Sequence, residues 1–204
     1  MELLKQLTNT KFTEYLTQVN SLPAAEVKEW NFAPGMLYGS IEKWWDKGNR
    51  DNHHEGVDVC LYRDKSDNIF RLKEKTLIPA IYDGIIAGII DDYLGKSIII
   101  EHDLNGVSGS FCTILAHVIP KSGLVKGSFV KQGEAVSEIA GTGKLRTKIL
   151  PHLHISLGRA TKGFPYCELD WDIIRDPKRF ILHDPVSLLD AGYRVIDGSN
   201  RKKS

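Results

Sequence analysis

From Leu77 to Ile139 the chain runs in short apolar stretches, Leu77–Ile81, Gly84–Ile90, Lys96–Glu101, Ser110–Val118 and Glu134–Ile139, each closed by glycine or polar turn residues. Stretches of this length, rich in isoleucine and valine and bounded by such turns, read as β-strands. No helical pattern separates them, so the rhythm is all-β rather than alternating strand and helix, and a mainly β protein with antiparallel sheet is expected. The segment Val125–Val136 has the glycine turns of lipoyl-like half-barrels, but it carries no lysine in a Met-Lys-Met-type hairpin, which argues against a lipoyl or biotinyl carrier.

Outside this block the pattern changes. Leu3, Leu4, Leu7, Phe12, Tyr15, Leu16 and Val19 recur at helical spacing and predict an amphipathic helix from Glu2 to about Asn20, packed on the back of its own domain. A second short helix is expected from Ala24 to Trp30, a linker at Asn31–Gly35, a helix start at Asp176–Phe180 and a frayed polar end at Gly198–Ser204. These boundaries give a helical extension at 1–35, a main domain at 36–192 and a disordered tail at 193–204.

A chain of 204 residues buries roughly 70% of its unfolded surface and needs no disulfides for stability. With 42% hydrophobic and 26% charged residues it has the composition of a globular domain, and its formal net charge of +1 gives no basic excess for nucleic acid. The longest apolar run, Ile85–Ile90, is far too short for a transmembrane segment. Three cysteines without Cys-x-x-Cys spacing indicate neither a disulfide framework nor a thiolate metal site, and Cys60, Cys112 and Cys167 are expected to be buried free thiols. The first twenty residues mix Lys5, Lys11, Glu2 and Glu14 without an unbroken apolar core, unlike a secretory signal. Nothing in the sequence sets an oligomeric state.

Chemistry concentrates in the histidines. Pro151-His152-Leu153-His154-Ile155 places two imidazoles two residues apart in a strand, where alternate side chains share a face. His54-Glu55-Gly56-Val57-Asp58 offers an imidazole and a carboxylate that return to one face of an extended segment. The neighbouring His53 has Val57 four residues on, which cannot ligate, so His54 is the candidate and His53 its rim neighbour. Together the two segments can supply His, Asp and His to one metal, with an imidazole left over for proton transfer. Three protein ligands and an open position are the pattern of a catalytic zinc site. Glu55 does not fit the helical His-Glu-x-x-His of other zinc peptidases, because Gly56 breaks the helix, and it is expected to be only exposed. Trp44 and Trp45, just upstream, suit either a groove floor or core packing.

Over about Gly39 to Leu189 the chain resembles the LytM/lysostaphin-type zinc metallopeptidases, which cleave peptide cross-links in bacterial cell walls. His54-Glu55-Gly56-Val57-Asp58 is similar to the family's His-x-Gly-x-Asp, Leu115-Ala116-His117 to the strand carrying its third histidine, Pro151-His152-Leu153-His154 to its Pro-His-Leu-His, and Asp184-Pro185 to its closing Asp-Pro segment. The resemblance implies the family's duplicated-hybrid-motif sheet with a groove. It implies one zinc per chain held by His54, Asp58 and His154, a catalytic pair in His117 and His152, and hydrolysis of peptide bonds in peptidoglycan cross-links or stem peptides. The sequence departs from the pattern in three places. Leu115 stands where the family has tyrosine, Lys144–Leu150 is basic and apolar, and residues 59 to 75 form a polar insertion. The last two are expected to wall the groove, and Lys144, Arg146 and Lys148 to favour acidic peptides over polyglycine. The alternatives from other classes are a zinc- and peptide-binding module without turnover, and a phosphocarrier of similar fold that pairs two histidines in one groove.

Overall fold

The computed structural model describes residues 7, 10–22, 27–103, 110–143, 148–161 and 164–196. In chain order its elements are helix α1 (Phe12–Asn20), strands β1 (Val27–Phe32), β2 (Val57–Val59), β3 (Leu61–Asp64), β4 (Ile69–Arg71), β5 (Leu77–Pro79), β6 (Gly84–Asp91), β7 (Lys96–His102), β8 (Phe111–Pro120), β9 (Phe129–Val130), β10 (Ala135–Ile139) and β11 (Leu153–Ala160), helix α2 (Trp171–Arg175), and strands β12 (Phe180–His183) and β13 (Gly192–Val195). The five apolar stretches from Leu77 onward are all strands, so the mainly β, antiparallel fold expected from their rhythm is the fold observed.

Nine strands form the main sheet, with β12-β11-β8-β7-β6-β9 as its path, β2 on β11, and β10 joining β5 and β8. All of its pairings are antiparallel. The unbroken run Ile98-Ile99-Ile100 in β7 is explained by burial on both faces. Ile98 and Ile100 join Ile86, Leu115, Leu153 and Ile155 in the principal core, while Ile99 joins Ile114, Ile174 and Phe180 in a second cluster. Two side-chain sets on alternate positions thus anchor the register from opposite sides, and a one-residue slip would exchange them.

Helix α1 begins at Phe12 rather than near Glu2. Leu7, Thr10 and Lys11 are not helical, and residues 2–6 lie outside the described residues. Phe12 and Leu16 are buried in the principal core, and Thr13 accepts from Trp30 Nε1 at 3.1 Å, so the helix packs on its own domain as its pattern required.

The expected helix at Ala24–Trp30 is strand β1, paired antiparallel to β3 and parallel to β13. Residues 24–26 lie outside the described residues, and in the rest pairing on both edges and burial of Trp30 and Phe32 favour the strand. The expected linker at Asn31–Gly35 therefore starts inside a strand. The insertion at residues 59 to 75 does not wall a groove. It forms β3 and β4, which complete a second sheet in the order β13-β1-β3-β4, with Tyr62 and Leu72 buried. The helix start expected at Asp176–Phe180 is instead a turn into β12, and the helix, α2, precedes it with Asp170 accepting from Ile173 N as its N-cap. Tyr193–Val195 of the expected tail belong to β13, while 197–204 lie outside the described residues.

Candidate functional site

Strand register assembles the site. Across β2, β11 and β8, Asp58 stands opposite His154 and His154 opposite Ala116. Because Leu153 and Ile155 point into the principal core, His154 between them points to the other face, and Asp58 does the same between Val57 and Val59. His152, two residues before His154, shares that face, and its Nε2 lies 3.5 Å from Asp58 Oδ1. The segment carrying His54 comes against β11 so closely that a Cβ on Gly56 would lie 2.1 Å from Ile155 O and 2.8 Å from His154 Nε2. Only glycine permits this approach.

Three atoms converge where these segments meet. His54 Nε2 is 3.1 Å from Asp58 Oδ1 and 3.1 Å from His154 Nδ1, which is 3.0 Å from the same carboxylate oxygen. Among the described residues, His54, Asp58 and His154 are the group with metal-ligand spacing, and all three are buried. His54 Nδ1 donates to Leu37 O at 3.0 Å, which leaves the Nε2 lone pair of the neutral ring turned to the centre. His154 Nε2 is engaged by Ser156 Oγ at 2.8 Å. Burial pushes the His154 imidazole down to about 4, so it is neutral at pH 7. Burial alone would raise Asp58, but the imidazoles of His54, His152 and His154 outweigh it and hold the carboxyl well below its ordinary range. Two lone pairs and an anionic oxygen facing one another suit a cation. Ligands at zinc-bond lengths and tetrahedral angles stand about 3.4 Å apart, close to the separations here. The far oxygen of Asp58 is held by Trp44 Nε1 at 2.6 Å and Arg50 at 3.3 Å, an outer layer that fixes which oxygen faces the centre.

Period-two alternation would place Ala116 at the site and send His117 to the opposite face. The structure corrects this with a β-bulge: opposite Ser97 of β7, strand β8 carries both Ala116 and His117, between the pairs Ile98–Leu115 and Lys96–Val118. His117 takes a left-handed φ of 63°, a strain of order 1–3 kcal/mol for a residue other than glycine. Its ring consequently meets those of His152 and His154, with centroids 4.8 Å and 5.6 Å away. Bulges beside active sites commonly re-aim a side chain in this way.

The five residues singled out in the sequence thus come together: His54, Asp58 and His154 at the centre, with His117 and His152 beside them. All line one cavity of about 390 Å³ whose walls include Trp45, Glu55, Tyr93, Trp171 and Arg175. Trp44 lies behind it, edge-on to His152 at 5.1 Å, while Trp45 faces it. Glu55 is not exposed as expected. Its carboxylate is mostly buried and ion-paired with Arg175 of α2. Cys60 and Cys112 are buried as expected, whereas Cys167, on the surface of a short turn, is exposed; burial pushes the Cys60 thiol up to about 12, and it is not part of the metal-spaced group. Lys148 pairs with Asp46 at 3.0 Å, while Lys144 and Arg146 lie outside the described residues, so the expected basic wall finds no support among those described.

Sequence reading passed over Arg50, Asp92, Trp171 and Arg175. None carries a motif: Arg50 lies in the loop just before His54, while Asp92, Trp171 and Arg175 reach the site from segments distant in sequence. Asp92 lies at the end of β6 beside His117. Burial opposes its charge, but hydrogen bonds from the His117 ring and backbone and from Ser97 prevail and hold its carboxyl below the ordinary range.

No protein-family model and no curated protein sequence matches the chain. Among solved structures it is similar to lysostaphin in solution, at 23% identity over 78% of this chain and 51% of that one, with a TM-score of 0.47. It is also similar to the catalytic domain of the antimicrobial peptidase lysostaphin from Staphylococcus simulans, at 20% identity over 77% and 91%, TM-score 0.43. A glycyl-glycine endopeptidase LytM from Ruminococcus gnavus aligns at 16% identity over 95% and 73%, TM-score 0.41. The chain spans about half the length of the first of these.

Proposed function

We propose that this protein is a zinc metalloendopeptidase that binds one zinc per chain through His54, Asp58 and His154 and hydrolyses peptide bonds in peptidoglycan cross-links or stem peptides. The observation that carries the reading is the buried triangle of His54 Nε2, Asp58 Oδ1 and His154 Nδ1, edges 3.0–3.1 Å, with two further imidazoles on its open side. The motif resemblance of the same residues supplies the substrate class.

Zinc in such a site supplies Lewis-acid polarisation of a carbonyl and lowers the pKa of a water to about 7. The chain's own residues handle the protons. His152 Nδ1 donates to Leu150 O at 2.8 Å, and His117 Nδ1 lies 3.2 Å from Asp92 Oδ1, so each neutral ring keeps Nε2 as its acceptor toward the cavity. One ring takes the proton of the attacking water at Nε2, and that same proton is returned to the departing amine nitrogen, either directly from the imidazolium so formed or by way of the other ring's Nε2. The aromatic faces of Trp45 and Trp171 limit water and hold an extended peptide over the histidines. The phosphocarrier alternative is disfavoured by Asp58, an anionic oxygen within 3.0–3.5 Å of three of the four imidazoles, where it would repel an incoming phosphoryl group.

The test is digestion of purified peptidoglycan and of pentaglycine side by side, with product masses measured before and after chelation and zinc restoration. Zinc-dependent release of peptides from peptidoglycan is expected. Zinc binding without cleavage of either substrate would transfer the reading to the binding module.

A further inference from the structure

His117 and His152 are backed differently. His152 leans on a neutral carbonyl, whereas His117 meets a carboxylate at two points, its backbone N–H donating to Asp92 Oδ2 at 2.9 Å and its Nδ1 lying 3.2 Å from Asp92 Oδ1. The carboxylate is itself fixed. Leu94 N and Gly95 N each donate to Oδ1 at 2.8 Å, Ser97 Oγ donates to Oδ2 at 2.7 Å, and Trp171 Nε1 donates to Ser97 Oγ at 3.3 Å. The Asp92 side chain is 3% exposed, so these contacts are shielded from competing water. The same residue therefore grips the strained backbone of His117 and its ring, at the bulge that turns this histidine into the cavity.

We propose that Asp92 is the positioning residue for His117: it holds the left-handed bulge and fixes the Nδ1–H tautomer, so that Nε2 faces the cavity as the proton acceptor. The role follows the general pairing of a proton-transferring group with a third residue that orients it. Ser97 and Trp171 extend the support, tying the orientation of His117 to a side chain of the cavity wall. The kinetic part rests on the peptidase reading, while the tautomer does not.

The first measurement is the tautomer of His117 in the zinc-loaded wild-type protein, read from long-range nitrogen–proton NMR correlations above the ordinary imidazole pKa of about 6.5. Nδ1–H is expected, and Nε2–H overturns the proposal even if the protein proves to be a peptidase. Asp92→Ala should then mix the tautomers and lower kcat roughly 10²–10³-fold with KM within about threefold and zinc stoichiometric. Asp92→Asn can keep one oxygen on Leu94 N, Gly95 N and the ring but sets an amide donor against the His117 N–H. It should fall between wild type and the alanine variant. If Asp92→Ala does not fold, Ser97→Ala, which removes one donor from the carboxylate, should still lower kcat severalfold at unchanged KM. A pure Nδ1–H tautomer and wild-type kcat in the folded Asp92→Ala protein would reduce Asp92 to a turn residue. A wild-type protein without any peptidase activity would defeat the functional reading and leave the tautomer test standing.

Discussion

His102 and His154 stand on β7 and β11 of one sheet, both buried, and burial pushes both imidazoles down to about 4. They differ in what meets the ring nitrogens. His102 Nδ1 donates to Asp83 O at 2.9 Å and Nε2 accepts from the Thr113 hydroxyl at 2.8 Å, so the ring is fully satisfied. In His154, Ser156 engages Nε2, while Nδ1 faces a carboxylate oxygen and a second imidazole across 3.0–3.1 Å. Burial and a displaced pKa therefore do not mark the site. The convergence of a carboxylate oxygen and two imidazole nitrogens from three segments does, because a cation among them can be held by all three at once.

The largest effect should come from emptying that triangle. His54→Ala or Asp58→Ala should abolish stoichiometric zinc binding and peptide hydrolysis, whereas His102→Gln should keep both. Elemental analysis of the three purified variants decides this, and zinc retained by either site variant breaks the contrast. Gly56→Ala acts on the same centre through the backbone. The added methyl meets Ile155 O, which cannot yield without moving β11. We expect a loss of roughly 1–3 kcal/mol in denaturant unfolding together with weakened zinc, and unchanged values for both would show that the close approach is dispensable.

Next in size is His152→Ala, expected to lower kcat by about 10²–10⁴ while keeping zinc. A rate within a few-fold of wild type would remove His152 from proton transfer. Smaller still is Trp44→Phe, which preserves the ring against His152 but deletes the indole donor to Asp58 Oδ2. Zinc affinity measured by competition with a chelator should fall about 10–100-fold, and no change would mean that Arg50 alone orients the carboxylate.

The sequence displayed the parts of this site that period-two spacing can show. His152 and His154 share a face by alternation, and His54 and Asp58 return to one face across Gly56. The strands from Leu77 onward were legible because they are short apolar stretches closed by glycine or polar turn residues, several of them buried on both faces. The placement of His117 escaped this spacing, since alternation points it into the core and only an unforeseen bulge, with Asp92 from the turn between β6 and β7, brings it round. The N-terminal strand β1 escaped for a related reason: its pairing partners lie far away in β3 and β13. Likewise Glu55 read as exposed because its partner Arg175 is 120 residues distant.

The smallest effect concerns the satisfied histidine and sharpens the comparison from its other side. Burial lowers the His102 imidazole from 6.5 to about 4, so between those values the unfolded chain binds more protons than the folded one at this residue. Stability from His102 is therefore complete above about pH 6.5 and declines as the pH falls toward 4. Over that window the term reaches roughly 2–3 kcal/mol. His102→Gln should be less stable than wild type at pH 7.5, because a packed ring is lost, but its stability should fall less between pH 7.5 and 4.5. Urea unfolding of both proteins at the two pH values, in chelator so that zinc release does not contribute, measures the difference. Parallel declines would mean that His102 takes up a proton in the folded state, which its two hydrogen bonds, one of them received at Nε2, do not permit without breaking the contact to Thr113.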